Sequence, residues 1–318
     1  MKENQIIQGD SLEVLKTLDS ESVDTIITSP PYFNLRDYGM EGQIGLEATY
    51  QEFIKKLIDV FTEAKRVLKK EGTCFVNLGD SYSNTKVGNT NQIVPKKLNE
   101  MTFRKQKQKD IPEKSLMLIP HRFAIAMIDN GWILRNTLVW VKPNAMPESV
   151  QDRWKKAHEY IFFFTKNKNY YFNLDAIRTK YKEVSLKRAE YEQGRNAMGL
   201  NPSSMGVKYK GSQRYYGMPA RMVKLNPLGG IPSDFFFVNI NCAEDDIVSD
   251  HYATYPKQLI IPLIKSGCPE KGIVMDPFNG SGTTCVVAKH LGRNYLGIEL
   301  NPEYIKIAEN RLKQDVLF

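Results

Sequence analysis

Cysteine is scarce in this chain, and no hydrophobic run is long enough to cross a membrane. The 318 residues include four cysteines, and no two of them form a CxxC pair, so the sequence indicates neither a disulfide framework nor a metal site. A membrane span needs about 18 consecutive apolar residues. The N-terminus carries only the short pair Ile6-Ile7, where a secretory signal would need a longer apolar stretch. We therefore expect a cytoplasmic protein with no metal and no membrane partner.

Positive charge exceeds negative charge, and two segments hold the excess. The chain has 44 Lys and Arg against 36 Asp and Glu, a formal net charge of +8. Residues 86–109 contain seven basic residues and one acidic residue, and residues 151–226 contain sixteen and six. Two basic segments on an acidic remainder indicate a polyanionic partner at one face. Solvated surface loops are the alternative interpretation of such runs.

Strands and amphipathic helices alternate along most of the chain. A strand over 5–8, a helix over 11–18 and a strand over 23–28 are followed by a helix over 49–70, which Thr49 and Glu52 open with capping-box spacing. This alternation predicts an α/β fold with a doubly wound, mostly parallel sheet. The same patterns predict strands over 73–78, 133–141, 159–165, 273–275 and 295–298, and helices over 116–130, 256–265, 282–291 and 302–314.

A Thr-Ser-Pro-Pro-Tyr run directly follows the predicted strand over 23–28. Pro30 and Pro31 fix the loop and remove two backbone donors. What remains is carbonyl acceptors, the Ser29 hydroxyl and the Tyr32 ring, a set that suits a planar base with an amino group. Acceptors that hold both amine hydrogens favour a pyramidal nitrogen, so catalysis here would consist of positioning and preorganised dipoles. A proline-stiffened turn is the alternative interpretation.

Residues 273–284 form a second candidate site, in which a strand enters a turn and a helix leaves it. Gly280 and Gly282 let a ligand approach the backbone, at the strand end where open α/β sheets bind ligands. No Gly-Lys-Ser/Thr follows the glycines, which argues against a nucleoside triphosphate, and the spacing differs from GxGxxG. Glu299, at the end of the next predicted strand, is placed to accept hydrogen bonds from ribose hydroxyls. The pattern predicts an adenosine-bearing cofactor.

Together these motifs resemble those of the DNA amino-methyltransferases that modify cytosine N4 or adenine N6. Their catalytic motif is similar to residues 29–32, and their cofactor motif to Asp-Pro-Phe-x-Gly-Ser-Gly-Thr-Thr at residues 276–284. The catalytic run comes first and the cofactor run last, which is the circularly permuted order of the β group. The resemblance covers about residues 1–82, 116–174 and 251–318. It implies a Rossmann-like methyltransferase fold, S-adenosylmethionine as cofactor and double-stranded DNA as partner, and it leaves a homodimer open.

The resemblance also implies roles for individual residues. The catalytic residues are Ser29, Pro30, Pro31 and Tyr32. Residues 9–11 and 251–256 resemble segments beside the cofactor, and residues 140–144 resemble a strand and loop near the target base. The implied cofactor-binding residues are Asp10, Thr254, Pro256, Asp276, Phe278, Gly280, Gly282, Thr283 and Glu299. The expected DNA-binding residues are Lys142, Arg153, Lys208, Lys210, Arg214 and Arg221.

Two segments match no motif of the family. Residues 83–115 are polar and lysine-rich and predict a basic loop insertion. Residues 175–250 are rich in Gly, Pro, Ser, Tyr and basic residues, and they stand where the family places its inserted target-recognition region. We therefore expect a catalytic half over 1–174, a target-recognition region over 175–250 and a cofactor-binding half over 251–318.

The resemblance also bears on the target base through Ser29. In this family a serine at the first catalytic position goes most often with cytosine N4, and aspartate or asparagine with adenine N6, so cytosine N4 is favoured and adenine N6 is the alternative. RNA or a small molecule is a weaker alternative, since basic segments suit a long polyanion. An inactive DNA-binding specificity module would have lost Ser29, Tyr32 or the glycine turn, and all are present. Cytosine C5 methylation needs a cysteine nucleophile, usually after proline, and the residues before the cysteines are Thr73, Asn241, Gly267 and Thr284.

Overall fold

The chain forms two compact units. The computed structural model describes residues 2–35, 37, 39–83, 108–187, 189–190, 225–240 and 255–314. The larger unit comprises Met1–Asn173 and Asp234–Phe318, and the smaller unit comprises Leu174–Ser233.

An eight-stranded sheet organises the larger unit, in the order β1-β8-β7-β2-β3-β5-β4-β6. Only β5 runs antiparallel to its neighbours within this described sheet, and the remaining pairs are parallel. The predicted α/β fold with a mostly parallel sheet is confirmed. The strands are β1 (Gln5–Gln8), β2 (Val23–Thr28), β3 (Leu68–Leu78), β4 (Ile133–Val141), β5 (His158–Thr165), β6 (Phe235–Phe237), β7 (Ile273–Asp276) and β8 (Asn294–Glu299).

Helices cover both faces of the sheet, because successive strand residues point to opposite sides. Ile26 of β2 belongs to a core shared with Phe53 and Leu57, whereas the next residue, Ile27, belongs to a core shared with Leu259. No helix in the described ranges is long and apolar enough to cross a membrane. The helices among the described residues of the larger unit are α1 (Ser11–Thr17), α2 (Tyr50–Val67), α3 (Ile119–Asp129), α4 (Lys257–Gly267), α5 (Thr283–His290) and α6 (Pro302–Lys313).

The boundaries of α2 follow the sequence at one end only. The capping box of Thr49 and Glu52 is present, as predicted. The prediction that the helix continues to residue 70 is wrong: it ends at Val67, and Leu68 turns into the extended conformation and begins β3. Leu68 is fully buried and pairs with Val23 in the sheet. Tertiary pairing therefore overrides the local helical periodicity.

Two further features depend on contacts distant in sequence. Helix α3 begins at Ile119 rather than at 116, because Leu118 adopts a left-handed conformation with φ of 56° and Leu116 forms a bridge with Tyr82. The short strand β6, which the sequence patterns did not predict, adds to the edge of the sheet beside β4. Within the smaller unit, a 3-10 helix spans Asp175–Ile177.

Candidate active site and cofactor pocket

The predicted catalytic and cofactor motifs meet at one cavity. Strands β8, β7 and β2 are parallel neighbours, so the segments that follow them emerge at the same edge of the sheet. A cavity of about 400 Å³ lies there. Its lining includes eight of the predicted catalytic and cofactor-binding residues, namely Asp10, Ser29, Pro30, Pro31, Tyr32, Phe278, Gly280 and Glu299.

Asp276 lies beneath the cavity and does not line it. Its Oδ1 accepts hydrogen bonds from Thr28 Oγ1 at 2.6 Å and from the Phe278 backbone N–H at 3.0 Å. Its Oδ2 accepts from the Tyr255 hydroxyl at 2.9 Å and from Thr284 Oγ1 at 2.7 Å. Burial raises the pKa of Asp276, and these four donors oppose that shift. The carboxyl group thus ties the end of β2 to the loop after β7 and fixes the two halves of the site to each other.

The two glycines of the turn have different surroundings. Gly280 has φ of +51°, lines the cavity and has no atom within 4 Å of the position that a Cβ would occupy. Gly282 has φ of +82°, and a Cβ there would lie 2.6 Å from Ala308 Cβ on α6. Gly280 therefore leaves room for a ligand, whereas Gly282 allows close packing of α6.

Two carboxylates line the cofactor end of the cavity. Residue Gln8 pairs with Glu299 in the sheet, which brings the following Asp10 to the same edge. Glu299 accepts backbone hydrogen bonds from Gly280 at 2.7 Å and Asn301 at 2.8 Å. Burial raises the pKa of Glu299. An ionised carboxylate has about four acceptor positions, so acceptor capacity remains for a ligand.

The chemistry of this lining fits an adenosine cofactor without phosphates. Carboxylates accept hydrogen bonds from ribose hydroxyls and amines, and they repel a triphosphate. Phe278 and Ile298 supply apolar surface for a purine. A cationic sulfonium is compatible with the negative charge of Asp10 and Glu299. The residues present thus fit S-adenosylmethionine.

A hydrogen-bonded triad lines the catalytic end. The Tyr32 hydroxyl donates to Glu159 Oε2 at 2.7 Å, and Lys142 Nζ donates to Glu159 Oε1. The ammonium of Lys142 also lies 4.2 Å from the centre of the Trp140 ring. Beneath the tyrosine, a Cβ added to Gly79 would lie 2.7 Å from Tyr32 Cε2. Lys142, which we expected to contact DNA, is thus part of the cavity wall and forms an ion pair there.

The other predicted site residues lie apart from this cavity or outside the described residues. Pro256 is buried at the start of α4, and Thr283 is buried where its Oγ1 accepts a hydrogen bond from Arg311 at 3.1 Å. Arg153 lines a second cavity of about 530 Å³, which shares Tyr32 and Glu159 with the first. The predictions for Thr254, Lys208, Lys210, Arg214 and Arg221 lie outside the described residues.

The cavity contains residues that the sequence patterns did not single out. Glu159 reaches it because the antiparallel register of β4 and β5 sets Glu159 opposite Trp140. The one sequence signal for this position is that Glu159 begins a predicted strand, and that residues 140–144 on the preceding strand resemble a segment near the target base. A search of the described residues for a metal site, in the cavity or elsewhere, finds no group of three or more His, Cys, Asp or Glu side chains that could hold an ion. The lining residues that the patterns did not single out include Asn77, Glu159 and Tyr304, whereas Tyr255 belongs to the run 251–256 that resembles a segment beside the cofactor.

Comparison with known proteins gives the family. Residues 23–310 match the N6/N4 methyltransferase family, described as DNA methylase. The chain is 38% identical over 311 residues to the Type II methyltransferase M.Cfr9I of Citrobacter freundii, which covers 97% of this chain and 87% of that protein. The chain belongs to this family and is a DNA methyltransferase.

Solved structures give the same fold. The PvuII DNA methyltransferase (cytosine-N4-specific) superimposes with a TM-score of 0.64 at 20% identity, covering 100% of this chain and 89% of that chain. M1.HpyAVI in its SAM complex superimposes with a TM-score of 0.54 at 18% identity, covering 98% and 99%. The Rossmann-like methyltransferase fold is confirmed.

Proposed function

We propose that this enzyme transfers a methyl group from S-adenosylmethionine to N4 of a cytosine that has left the DNA duplex. The observation that supports this most strongly is that Ser29, Pro30 and Tyr32 line the same cavity as Gly280 and Glu299. A base amine at the first group would therefore face a cofactor at the second. Serine at the first catalytic position favours cytosine over adenine in this family, and the PvuII enzyme with the same fold is cytosine-N4-specific.

The cofactor end would hold adenosine by acidic acceptors and apolar surface. Glu299 would accept hydrogen bonds from the ribose hydroxyls, and Asp10 would lie beside the adenine. Phe278 would pack against the adenine, and Gly280 would leave space for the cofactor. When bound, S-adenosylmethionine supplies a methyl group on a positively charged sulfur.

At the catalytic end, the chain's own residues make the amine reactive. The Ser29 hydroxyl oxygen and the Pro30 carbonyl oxygen accept the two amine hydrogens, which draws the nitrogen lone pair out of the ring and toward the cofactor end. Tyr32 stacks on the base, and the nitrogen releases one of its protons to solvent. These groups act by position and preorganised dipoles. The base must leave the duplex to reach them, as it does in other base-modifying enzymes.

Basic residues would hold the DNA. Lys and Arg of residues 86–109 and 151–226 would contact phosphates, which gives affinity without sequence information. Residues 175–250 would read the bases of the recognition site. M.Cfr9I is a Type II methyltransferase, so we also propose that this enzyme protects DNA as the modification partner of a restriction system.

A methylation assay with matched serine variants tests the catalytic role. Ser22 and Ser29 stand just outside the two ends of β2. Tritium from labelled S-adenosylmethionine should enter unmethylated bacterial DNA with the wild type and with Ser22→Ala. With Ser29→Ala the rate should fall roughly tenfold, the value of one neutral hydrogen bond of about 1 kcal/mol with some added misalignment. Wild-type turnover in Ser29→Ala would contradict the proposal.

A further inference from the structure

Trp154 is a large aromatic side chain that lies in solvent. It is 92% exposed, whereas Trp132 and Trp140 are 2% and 3% exposed. Tryptophan is highly buried on average, because its ring loses favourable free energy in proportion to the apolar area left in water. Met146 of the same chain segment is 77% exposed as well, so two large apolar side chains lie in solvent within nine residues.

Trp154 belongs to the loop over residues 142–157, which joins β4 to β5. The Lys142 backbone N–H donates to the Ala157 carbonyl at 2.8 Å, so the loop closes directly above the ladder of the two strands. Because β4 runs in the same direction as β2, the loop emerges at the sheet edge that carries Ser29. Met146 of this loop lines the catalytic cavity. The exposed ring is therefore on the side of the molecule where a target base would enter.

The backbone on both sides of Trp154 is anchored. Arg153 forms an ion pair with Glu148 at 2.6 Å and donates to the Trp154 carbonyl at 3.1 Å. Its guanidinium lies 4.1 Å from the centre of the Tyr82 ring. Lys155 Nζ donates to the Ala145 carbonyl at 3.2 Å. The loop thus holds an exposed ring on a preorganised backbone, which lowers the entropic cost of binding through it.

The charge around this ring favours a nucleic acid as the partner. Trp154 is preceded by Arg153 and followed by Lys155 and Lys156, and an aromatic ring among basic residues suits bases stacked beside phosphates. A duplex that loses a base from its stack leaves an apolar gap, which DNA-bending proteins fill with an apolar side chain. A base-modifying enzyme opens such a gap at its own target.

We propose that Trp154 inserts into the duplex beside the target base pair and stacks on the bases that the departing target exposes. This rests on the proposed extrusion of the target base and does not depend on whether that base is cytosine or adenine. Lys155, whose side chain is exposed, would contact an adjacent phosphate, while Arg153 and Lys156 hold the loop through their contacts with Glu148 and the Asp80 carbonyl.

Tryptophan fluorescence tests the insertion directly. The chain has three tryptophans, and two are buried, so acrylamide quenching of the free protein reports mainly on Trp154. The sequence that the enzyme methylates would first be mapped on labelled bacterial DNA. An unmethylated duplex that contains this sequence should then remove most of the quenching. The DNA-dependent change should be absent in Trp154→Phe. The proposal would be overturned if DNA left the quenching unchanged. It would also be overturned if a higher protein concentration alone, without DNA, protected Trp154 from acrylamide, because the partner would then be a second copy of the chain.

Affinity and rate measurements separate stacking from a structural effect. Trp154→Ala should weaken binding to the site-containing duplex by roughly 5- to 150-fold, as one lost base stack does, and Trp154→Phe should restore most of it. Binding of S-adenosylmethionine and thermal stability should stay unchanged in both. Ile125→Ala, which removes another exposed apolar side chain, is the matched control and should bind as the wild type. Wild-type affinity and methylation rate in Trp154→Ala would overturn this inference alone, whereas absence of DNA methylation by the wild type would overturn the proposed function.

Discussion

The Tyr32 hydroxyl donates a 2.7 Å hydrogen bond to Glu159 Oε2, and this bond joins the loop after β2 to strand β5. Lys142 donates to the other oxygen of the same carboxylate. Both side chains of this ion pair are largely buried, so the carboxylate has a fixed position. The Tyr32 ring is therefore held in one orientation at the cavity wall, which is the arrangement expected of a preorganised site.

Removing this bond from either side should slow methyl transfer. Hydrogen bonds to charged groups contribute about 1.5–3 kcal/mol, so Tyr32→Phe should lower the single-turnover rate roughly tenfold to hundredfold. Glu159→Gln removes the charge from this bond and also breaks the ion pair with Lys142, so its loss should be at least as large. The double variant should be no slower than Glu159→Gln alone, because Tyr32→Phe then removes a bond whose carboxylate is already gone. Independent, multiplying losses would show that Glu159 does not act through Tyr32. Unchanged binding of S-adenosylmethionine is the control for folding.

Removing the whole Tyr32 ring should cost more than removing its hydroxyl. Tyr32→Ala loses the stacking surface as well, on the order of ~1–3 kcal/mol per base. The comparison of Tyr32→Ala with Tyr32→Phe in the same labelled-methyl assay isolates the contribution of the ring. Equal rates in the two variants would mean that the ring does not stack on the base, and wild-type turnover in Tyr32→Ala would remove Tyr32 from the site.

The two glycines of the turn offer a matched pair of variants. A left-handed conformation costs about 1–2 kcal/mol for a residue with a Cβ, so Gly280→Ala and Gly282→Ala share that cost. Gly282→Ala adds a contact of 2.6 Å with Ala308, and overpacking typically costs a further ~1–3 kcal/mol. Thermal unfolding should therefore show the larger loss of stability in Gly282→Ala. Titration with S-adenosylmethionine should show weaker binding in Gly280→Ala, whose methyl group faces the cavity. The reverse order of stabilities would contradict the assignment.

Cofactor binding should weaken as the pH falls through the titration of Glu299. Burial raises the pKa of Glu299, so this carboxyl group takes up its proton at a higher pH than an ordinary glutamate. The ionised form offers more acceptor positions for ribose hydroxyls, so affinity should be complete above the raised pKa and decline below it. Calorimetric titration from neutral pH downward measures this decline. Glu299→Gln should bind more weakly with a flatter pH profile, and an unchanged profile in that variant would rule out Glu299 as the titrating group.

Local sequence signals predicted the elements that carry the site. The strands over 23–28 and 133–141 and the capping box at Thr49 depend on nearby residues, and the structure has them as predicted. The two predicted motifs directly follow β2 and β7, and because these strands are parallel, both motifs lie at the edge where such sheets bind ligands.

Pairings distant in sequence account for what was missed. Leu68 leaves its helix to pair with Val23, and Glu159 enters the cavity through its register with Trp140. Asp276, which the motif places among the cofactor-binding residues, accepts hydrogen bonds from four donors of the chain itself and lies under the loop. Such contacts depend on the folded chain and leave no periodic trace in the sequence.

Nucleoside mass spectrometry tests the central claim most directly. The purified enzyme would be incubated with unmethylated bacterial DNA and S-adenosylmethionine carrying an isotopically labelled methyl group, and the DNA would then be digested to nucleosides. We expect labelled N4-methyldeoxycytidine, which should be absent when the enzyme is omitted. Labelled N6-methyldeoxyadenosine in its place would contradict the assignment of the base from Ser29, and the absence of any labelled nucleoside would contradict the proposed reaction.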